Sequence, residues 1–205
     1  MSSIAASPGL SDVEATMLAQ LEAQRADFIR EGVVTAAVRI DRLERGIGAL
    51  VKYADKVAEA VQADFSCRPR EITLITDIGA SISAMKHAKK HLRKWMKAQR
   101  RPTIFPLNVL GGRSRIEYQP LGAVGIISPW NFPVSMVFAP MAGALAAGNR
   151  VMIKPSEFTP ATSEVLAELV KDAYDPKEVV LFTGGPEVGQ AFSNLPLDHL
   201  LFTGA

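Results

Sequence analysis

The chain has 205 residues, a single cysteine and nearly balanced charge, with 23 Lys and Arg against 21 Asp and Glu. One cysteine excludes an internal disulfide and the multi-cysteine zinc motifs. A hydrophobic content of 48% excludes intrinsic disorder. No apolar run reaches the ~18 residues of a membrane span, and the first residues lack the regions of a signal peptide. We therefore expect a soluble cytoplasmic protein with no metal site and no membrane span.

Positive charge is concentrated between Ile78 and Ile116, where no acidic residue occurs. Such clustering is found at nucleic-acid sites and also on solvated helix faces whose late cations complement the helix C-terminus. Apolar residues at mostly three- and four-residue steps predict one buried stripe beneath the charges, formed by Ile75, Ile78, Ile82, Met85, Leu92, Trp95 and Met96. No aromatic platform interleaves with the cations. The pattern favours a helix face and no nucleic-acid partner, and a steep salt dependence of DNA binding would reveal the alternative.

The first half of the chain, from about Ser11 to Arg101, has a helical pattern. One apolar face is formed by Ile40, Leu43, Ile47, Leu50, Val51, Ala54, Val57, Ala58 and Val61. A second helix is predicted to start near Glu71 and to end at Arg101, because Pro102 cannot continue it. A loop with two prolines follows over 102–112. We assign residues 1–112 to a helical N-terminal segment with a Pro/Gly loop.

After Gly112 the pattern changes to strands alternating with helices. Residues 113–118 alternate as an exposed strand does, and further strands are predicted at 122–128, 150–154, 178–183 and 199–203. Helices are predicted between them at 134–147, 159–174 and 186–194. This alternation implies right-handed crossovers and parallel strands. The sequence therefore predicts an α/β fold in which the N-terminal helical segment is followed by a doubly wound, mostly parallel Rossmann-like sheet.

Three predicted strand ends carry distinctive residues, at 128–131, 154–157 and 203–205. Ligands of open α/β sheets bind outside the carboxyl ends of the strands. Lys154 and Glu157 could serve as donor and acceptor for a ribose diol, and Asn131 could donate its amide N–H to an oxyanion. A strand-end lysine is also often only a solvated charge, and Asn before Phe-Pro is often a turn or a helix cap. Neither common phosphate-binding glycine fingerprint is present.

Three motifs, in this order, resemble the aldehyde dehydrogenase superfamily. They are Pro129-Trp130-Asn131-Phe132-Pro133, then Ala147-Gly148-Asn149 before Lys154-Pro155-Ser156-Glu157, then Leu201-Phe202-Thr203-Gly204. The basic run His91–Met96 is similar to the class 3 and coniferyl aldehyde dehydrogenase branch. The resemblance covers nearly the whole chain. It implies a Rossmann-like sheet that binds NAD or NADP without the glycine fingerprint, an oligomerisation-type strand over 113–121 and a partial cofactor domain over 122–205.

The resemblance also implies NAD(P)-dependent oxidation of an aldehyde, in this branch a coniferyl-like aromatic one, to the carboxylic acid. In the family a cysteine thiolate attacks the aldehyde, a glutamate activates water, and the asparagine matching Asn131 holds the oxyanion. The implied cofactor contacts are Ser128, Pro129, Trp130, Lys154, Glu157, Gly185, Gly189, Thr203 and Gly204. The implied partners are a small-molecule aldehyde and a second copy of the protein in a homodimer.

Two departures from the family pattern stand out. Many members have Ser where this chain has Ala205, so a hydroxyl contact to phosphate is lost. The family is also more than twice as long, so the catalytic domain, its nucleophilic cysteine and its glutamate are expected beyond Ala205, and the chain alone is expected to be inactive. A truncated, non-catalytic nucleotide-binding or dimerising module is the alternative.

The remaining candidates for chemistry are a thiol and a histidine pair. The likeness places the stretch around Cys67 on the surface, far from the cofactor, so we expect an incidental loop thiol. His87 and His91 are four residues apart, but lysines lie between them and no carboxylate stands where a zinc protease needs one. We expect an ordinary basic helix face there.

Overall fold

The computed structural model describes residues 10–204, and the expectation for Ala205 lies outside them. The first half is helical: α1 (Leu10–Glu31), α2 (Ala36–Lys52), α3 (Ala54–Phe65), α4 (Arg70–Thr73), a π-helical segment (Leu74–Gly79) and α5 (Ala80–Trp95). The second half contains β1 (Gln99–Arg101), β2 (Ser114–Ile116), β3 (Ala123–Ile127), α6 (Ser135–Ala147), β4 (Arg150–Lys154), α7 (Pro160–Ala173), β5 (Val179–Leu181), α8 (Pro186–Ser193) and β6 (His199–Phe202). None of these helices is long and apolar enough to cross a membrane.

The main sheet has four parallel strands in the order β5-β4-β3-β6. Ile126 in the centre of β3 lies opposite Ile153 of β4 on one side and Leu201 of β6 on the other. The chain runs outward from β3 through β4 to β5 and then returns to form β6 on the far side of β3. This reversal creates a topological switch point between β3 and β6. The predicted α/β fold with a doubly wound parallel sheet is confirmed.

Helices cover both faces of the sheet. On one face α2, α5, α6 and α7 enclose a large apolar cluster that includes Phe138, Ile153 and Leu166. On the other face α1 and α8 enclose a smaller cluster around Met17 and Phe192. Because both faces are buried, β3 and the interior of β4 (residues 151–153) are apolar and do not alternate, and the charged residues of β4 stand at its two ends.

Buried arginines bind the helical segment to the sheet. Arg150 on β4 is fully buried and pairs with Asp27 of α1 at 2.8 Å and also with Glu31. Arg42 of α2 donates to Glu31 at 2.9 Å and to Glu178, just before β5, at 2.8 Å. These ion pairs connect α1, α2 and two strands.

Both predicted N-terminal helices differ from the structure. The apolar run from Ile40 to Val61 is divided at Tyr53 into α2 and α3, and Val51 is exposed. The second helix ends at Trp95 rather than Arg101, because residues 99–101 form β1 and pair antiparallel with β2. Pairing with β2, about 15 positions later in the chain, therefore overrides the helical pattern of residues 99–101.

The predicted apolar stripe along α5 is only partly buried. Ile78, Met85 and Leu92 are buried, whereas Ile75 is 70% exposed and Trp95 is 45% exposed. Ile75 lies in the π-helical segment, whose wider turn breaks the 3.6-residue period on which the stripe depends.

An aromatic stack runs along the exposed side of α5. The rings of His87 and His91 are 4.2 Å apart, and His91 stacks on Trp95 at 5.8 Å. Aromatic rings therefore lie among the cations of this helix, and the absence of a nucleic-acid partner stays a prediction. The described residues hold no group of three metal-ligating side chains.

Candidate functional site

A cleft of about 510 Å³ opens at the carboxyl ends of β3, β4 and β6. It lies at the switch point, where ligands of doubly wound sheets bind. The cleft brings together eight of the predicted cofactor residues: Ser128, Pro129, Trp130, Lys154, Glu157, Gly189, Thr203 and Gly204. Gly185 instead lines an adjoining recess of about 350 Å³, which shares Pro155, Ser156 and Glu157 with the cleft.

One wall of the cleft comes from α8, and sequence reasoning identified only Gly189 on it. Pro186, Gln190 and Ser193 also line the cleft. Pro186 and Ser193 lie three and four residues from Gly189, hence on the same helix face, and Gln190 is its immediate neighbour. Applying the helical period around Gly189 would have found Pro186 and Ser193.

Lys154 is the last residue of β4, and its side chain is only 2% exposed. Its Nζ donates to the carbonyl of Pro155 at 2.7 Å and lies 3.8 Å from the carboxylate of Glu157. Burial lowers the pKa of Lys154, while the carboxylates of Glu157 and Glu187 act in the opposite direction. An ammonium group has three donors, so Lys154 keeps donor capacity for a ligand beside an acceptor on Glu157.

The end of β3 presents an unpartnered hydroxyl in the same cleft. The Ser128 N–H donates to the Lys154 carbonyl at 3.2 Å, which holds the two strand ends together. The Ser128 Oγ is buried and has no hydrogen-bond partner among the described residues. A buried polar atom in this condition is rare in native proteins and indicates a missing partner.

Glycine provides space on the opposite wall. A Cβ atom placed on Gly189 would meet nothing within 4 Å. The buried hydroxyl of Ser128, the Lys154–Glu157 pair and this open wall together suit a polar ligand that offers both donors and acceptors, as a nicotinamide nucleotide does.

Asn131 is exposed and lies beyond Trp130, outside the lining of the cleft. Its Oδ1 accepts from the Phe132 N–H at 3.1 Å, as in a turn. Among residues 10–204, no group accepts a hydrogen bond from its Nδ2 amide. Asn131 can therefore stabilise the turn through its Oδ1 and still donate a hydrogen bond to an oxyanion through its Nδ2.

The turn between α3 and α4 lies directly against the Asn131 loop. Arg68 Nη2 donates to the Asn131 carbonyl at 2.7 Å, and the Phe65 ring lies 6.1 Å from Trp130. The Cys67 thiol in this turn is exposed, as expected. The expected distance of this stretch from the cofactor stays a prediction, but its neighbours on both sides contact the loop that carries Asn131. No local sequence signal indicates a contact between segments 63 residues apart.

The sequence was compared with protein families and with known proteins. Residues 8–205 match the aldehyde dehydrogenase family. The chain belongs to the aldehyde dehydrogenase family. The probable coniferyl aldehyde dehydrogenase of Caulobacter vibrioides is 50% identical over 94% of this chain and 40% of its own length. The coniferyl aldehyde dehydrogenase of a Pseudomonas species is 45% identical over 90% of the chain and 37% of its own length.

Solved structures of aldehyde dehydrogenases have the same fold. Substrate-bound AldH of Staphylococcus aureus has a TM-score of 0.86 and 32% identity over 92% of this chain and 41% of its own. The NAD⁺ complex of the Bacillus cereus aldehyde dehydrogenase has a TM-score of 0.78 and 28% identity over 96% of this chain and 39% of its own. The resemblance to this family is confirmed, and the chain spans about 40% of the length of these relatives.

Proposed function

We propose that this chain supplies the N-terminal part of an NAD(P)-dependent aldehyde dehydrogenase that oxidises a coniferyl-like aromatic aldehyde to its acid. The observation that carries this proposal is the cleft at the switch point, lined by the strand ends that hold the family motifs. The names of the two Caulobacter and Pseudomonas relatives support the aromatic substrate class. The nucleophilic cysteine and the general-base glutamate belong to sequence beyond Ala205 in this proposal.

The cleft residues are proposed to hold the cofactor, which supplies the hydride acceptor when bound. Lys154 donates to a ribose hydroxyl and Glu157 accepts from one. The unpartnered Oγ of Ser128 gains a partner in the ligand. Gly189 leaves room for the nucleotide. The remaining wall is formed by Pro129, Trp130, Gly185, Thr203 and Gly204.

Asn131 is proposed to act on the substrate. When a nucleophile adds to an aldehyde, the carbonyl oxygen gains negative charge, and a prepositioned N–H donor stabilises it. One such donor is worth about 3 kcal/mol of transition-state stabilisation. The free Nδ2 amide of Asn131 is suited to this role because its Oδ1 is already bound to the Phe132 N–H.

Self-association is a further part of the proposal. The arm between α5 and β3 exposes large apolar side chains, including Ile104 at 75%, Phe105 at 75% and Leu110 at 76% exposure. Concentrated exposed apolar surface marks an interaction site. We propose that this arm pairs two copies in a homodimer of the cytoplasm. The same observation favours the alternative, a dimerising module without catalysis.

The first experiment reads the gene downstream of the Ala205 codon and assays both chain lengths. An open frame and aldehyde-dependent NADH formation by the longer protein are expected, whereas the 205-residue chain binds NAD⁺ or NADP⁺ without turnover. Lys154→Met should weaken binding at least tenfold, and Lys171→Met on the exposed face of α7 should not. A stop codon directly after Ala205 would contradict the dehydrogenase proposal, and the dimerising module without catalysis would be the remaining function.

A further inference from the structure

Arg68 occupies a clamp position between the N-terminal helices and the Asn131 loop. Its side chain is only 16% exposed. Besides the bond from Nη2 to the Asn131 carbonyl, its Nη1 lies 3.4 Å from Asp77 Oδ2. The guanidinium stacks 4.0 Å from the Phe65 ring and 5.5 Å from the Phe132 ring. The cation is therefore held on three sides, and its fourth contact is the main chain of Asn131.

Asp77 holds the other end of the same loop. Its side chain is fully buried in the π-helical segment, and Oδ1 accepts from the backbone N–H groups of Val134 and Ser135, each at 3.1 Å. This carboxylate caps the N-terminus of α6 from outside the helix. Burial raises the pKa of Asp77, and the hydrogen bonds from Ser135 and Val134 oppose that rise.

A buried ion pair is weak evidence for stability, because desolvation offsets the attraction between the charges. The geometric effect of this pair is specific, however. Arg68 fixes the backbone at residue 131 and Asp77 fixes it at residues 134 and 135, so both sides of the Phe132–Pro133 turn are held. Since Asn131 Oδ1 is bound to the Phe132 N–H, the backbone determines where the Nδ2 amide lies.

We propose that Arg68 and Asp77 are positioning residues that hold the Nδ2 amide of Asn131 where the substrate oxyanion develops. This proposal rests on the proposed role of Asn131. A displacement of about 1 Å in a reacting geometry can cost up to about 10²-fold in rate. Loss of the clamp should therefore reduce kcat while leaving the Lys154–Glu157 pair of the cofactor cleft, which the clamp does not contact, unchanged.

A double-mutant cycle in the protein translated from the complete gene tests this proposal. Asn131→Ala should lower kcat by about 10²- to 10³-fold. Arg68→Ala should lower kcat by about 10- to 100-fold, with the KM for the cofactor within about twofold. The double variant should be no slower than Asn131→Ala alone, because Arg68 acts through Asn131. Arg68→Lys, which keeps one charged donor, should recover part of the loss.

Arg70→Ala is the matched control, because Arg70 lies two positions further on and pairs only with the exposed Asp55 among the described residues. Its kcat should stay within about twofold of the unmodified enzyme. Losses from Arg68→Ala and Asn131→Ala that multiply in the double variant would overturn the positioning role. A normal kcat for Asn131→Ala would instead overturn the proposed function of Asn131, which is a distinct result.

A fluorescence experiment on the 205-residue chain tests the clamp independently of activity. The chain has two tryptophans, so Trp95→Phe leaves Trp130 as the sole reporter beside Phe65. Arg68→Ala should shift the Trp130 emission and increase its quenching by acrylamide, whereas Arg70→Ala should not. Circular dichroism checks that each variant is folded. If Arg68→Ala does not fold, Asp77→Asn, which keeps the acceptor for both N–H groups, is measured instead. Unchanged Trp130 emission in a folded variant contradicts the clamp.

Discussion

Asp64 at the end of α3 caps helix α7 through Thr162, 98 positions later in the chain. Its Oδ2 accepts from the Thr162 N–H at 2.8 Å and from the Thr162 hydroxyl at 2.6 Å. Asp77 does the same for α6. These two helices follow the strand ends that carry Asn131 and Glu157. Two carboxylates of the helical segment therefore set the positions of both loops at the cleft.

The first prediction concerns the stability that the Asp64 cap contributes. Asp64→Ala removes the acceptor of three donors at the start of α7, namely the N–H groups of Ala161 and Thr162 and the Thr162 hydroxyl. Loss of a helix cap costs about 1–2 kcal/mol, so the free energy of unfolding measured with urea should fall by that amount. Glu59→Ala, on the exposed face of the same helix, should change it by less than about 0.5 kcal/mol. Equal effects of the two substitutions would contradict the capping role.

The second prediction compares two glycines of α6. Gly148 ends the helix at φ +94, and a Cβ there would lie 2.9 Å from the Arg39 guanidinium carbon. Gly143 lies within the helix, and a Cβ there would meet nothing within 4 Å. Gly148→Ala should lower the melting temperature, because the residue must keep a left-handed conformation against a close contact, at a cost of at least about 1 kcal/mol.

Gly143→Ala should raise the melting temperature, since alanine is favoured over glycine in a helix interior by about 0.5–1 kcal/mol. The two variants differ from the parent by the same single methyl group. Opposite signs are therefore expected from calorimetry, and a destabilised Gly143→Ala would show that this face of α6 is not open.

The third prediction is a loss of stability in acid. Burial raises the pKa of Glu178, but hydrogen bonds from Arg45 and Arg42 outweigh it and hold the pKa below its ordinary value of 4.5. The balance is the same for Glu31, where burial is outweighed by Arg150 and Arg42. A carboxyl group whose pKa is lowered by folding stabilises the fold above its unfolded pKa and loses that contribution as pH falls through the folded pKa.

The free energy of unfolding should therefore stay level from pH 7 to about pH 5 and decline below about pH 4.5. Burial raises the pKa of Asp77, so the contribution of this group to the free energy of unfolding changes with pH in the opposite direction. It is one group against several whose pKa values are lowered. Glu178→Gln should flatten this decline, while Glu59→Gln should leave it intact. Urea denaturation at stepped pH values checks both variants. Stability that increases from pH 5 to pH 3 would contradict the prediction.

Sequence patterns could predict the sheet and the strand-end residues for a simple physical reason. Carboxyl ends of parallel strands meet at one edge, so Ser128, Lys154 and Thr203 had to lie together once the strands were identified. No such rule predicts the hydrogen bond between Arg68 and Asn131, because no sequence periodicity relates a turn and a loop that lie 63 positions apart. The π-helical segment around Asp77 likewise has no local sequence pattern that predicts it, and its wider turn places Ile75 on the surface rather than in the predicted buried stripe.

The final prediction concerns cofactor preference, and it follows from the Lys154–Glu157 pair. A carboxylate accepts a hydrogen bond from a ribose 2′-hydroxyl and repels a 2′-phosphate, whereas an ammonium group attracts the phosphate. Glu157→Gln keeps the shape of the side chain and removes its charge. The ratio of the Kd for NADP⁺ to the Kd for NAD⁺ should therefore fall about tenfold, which corresponds to about 1.4 kcal/mol.

Titration of each nucleotide into the 205-residue chain by calorimetry measures this ratio. Glu168→Gln is the control, because Glu168 lies on the exposed face of α7 and pairs with Lys56 away from the cleft. Lys154→Met should weaken the binding of both nucleotides, and of NADP⁺ more than NAD⁺, because the attraction to the phosphate is lost as well as the proposed ribose contact. A ratio that is the same in Glu157→Gln and the unmodified chain would mean that the Glu157 carboxylate does not face the 2′ position of the ribose.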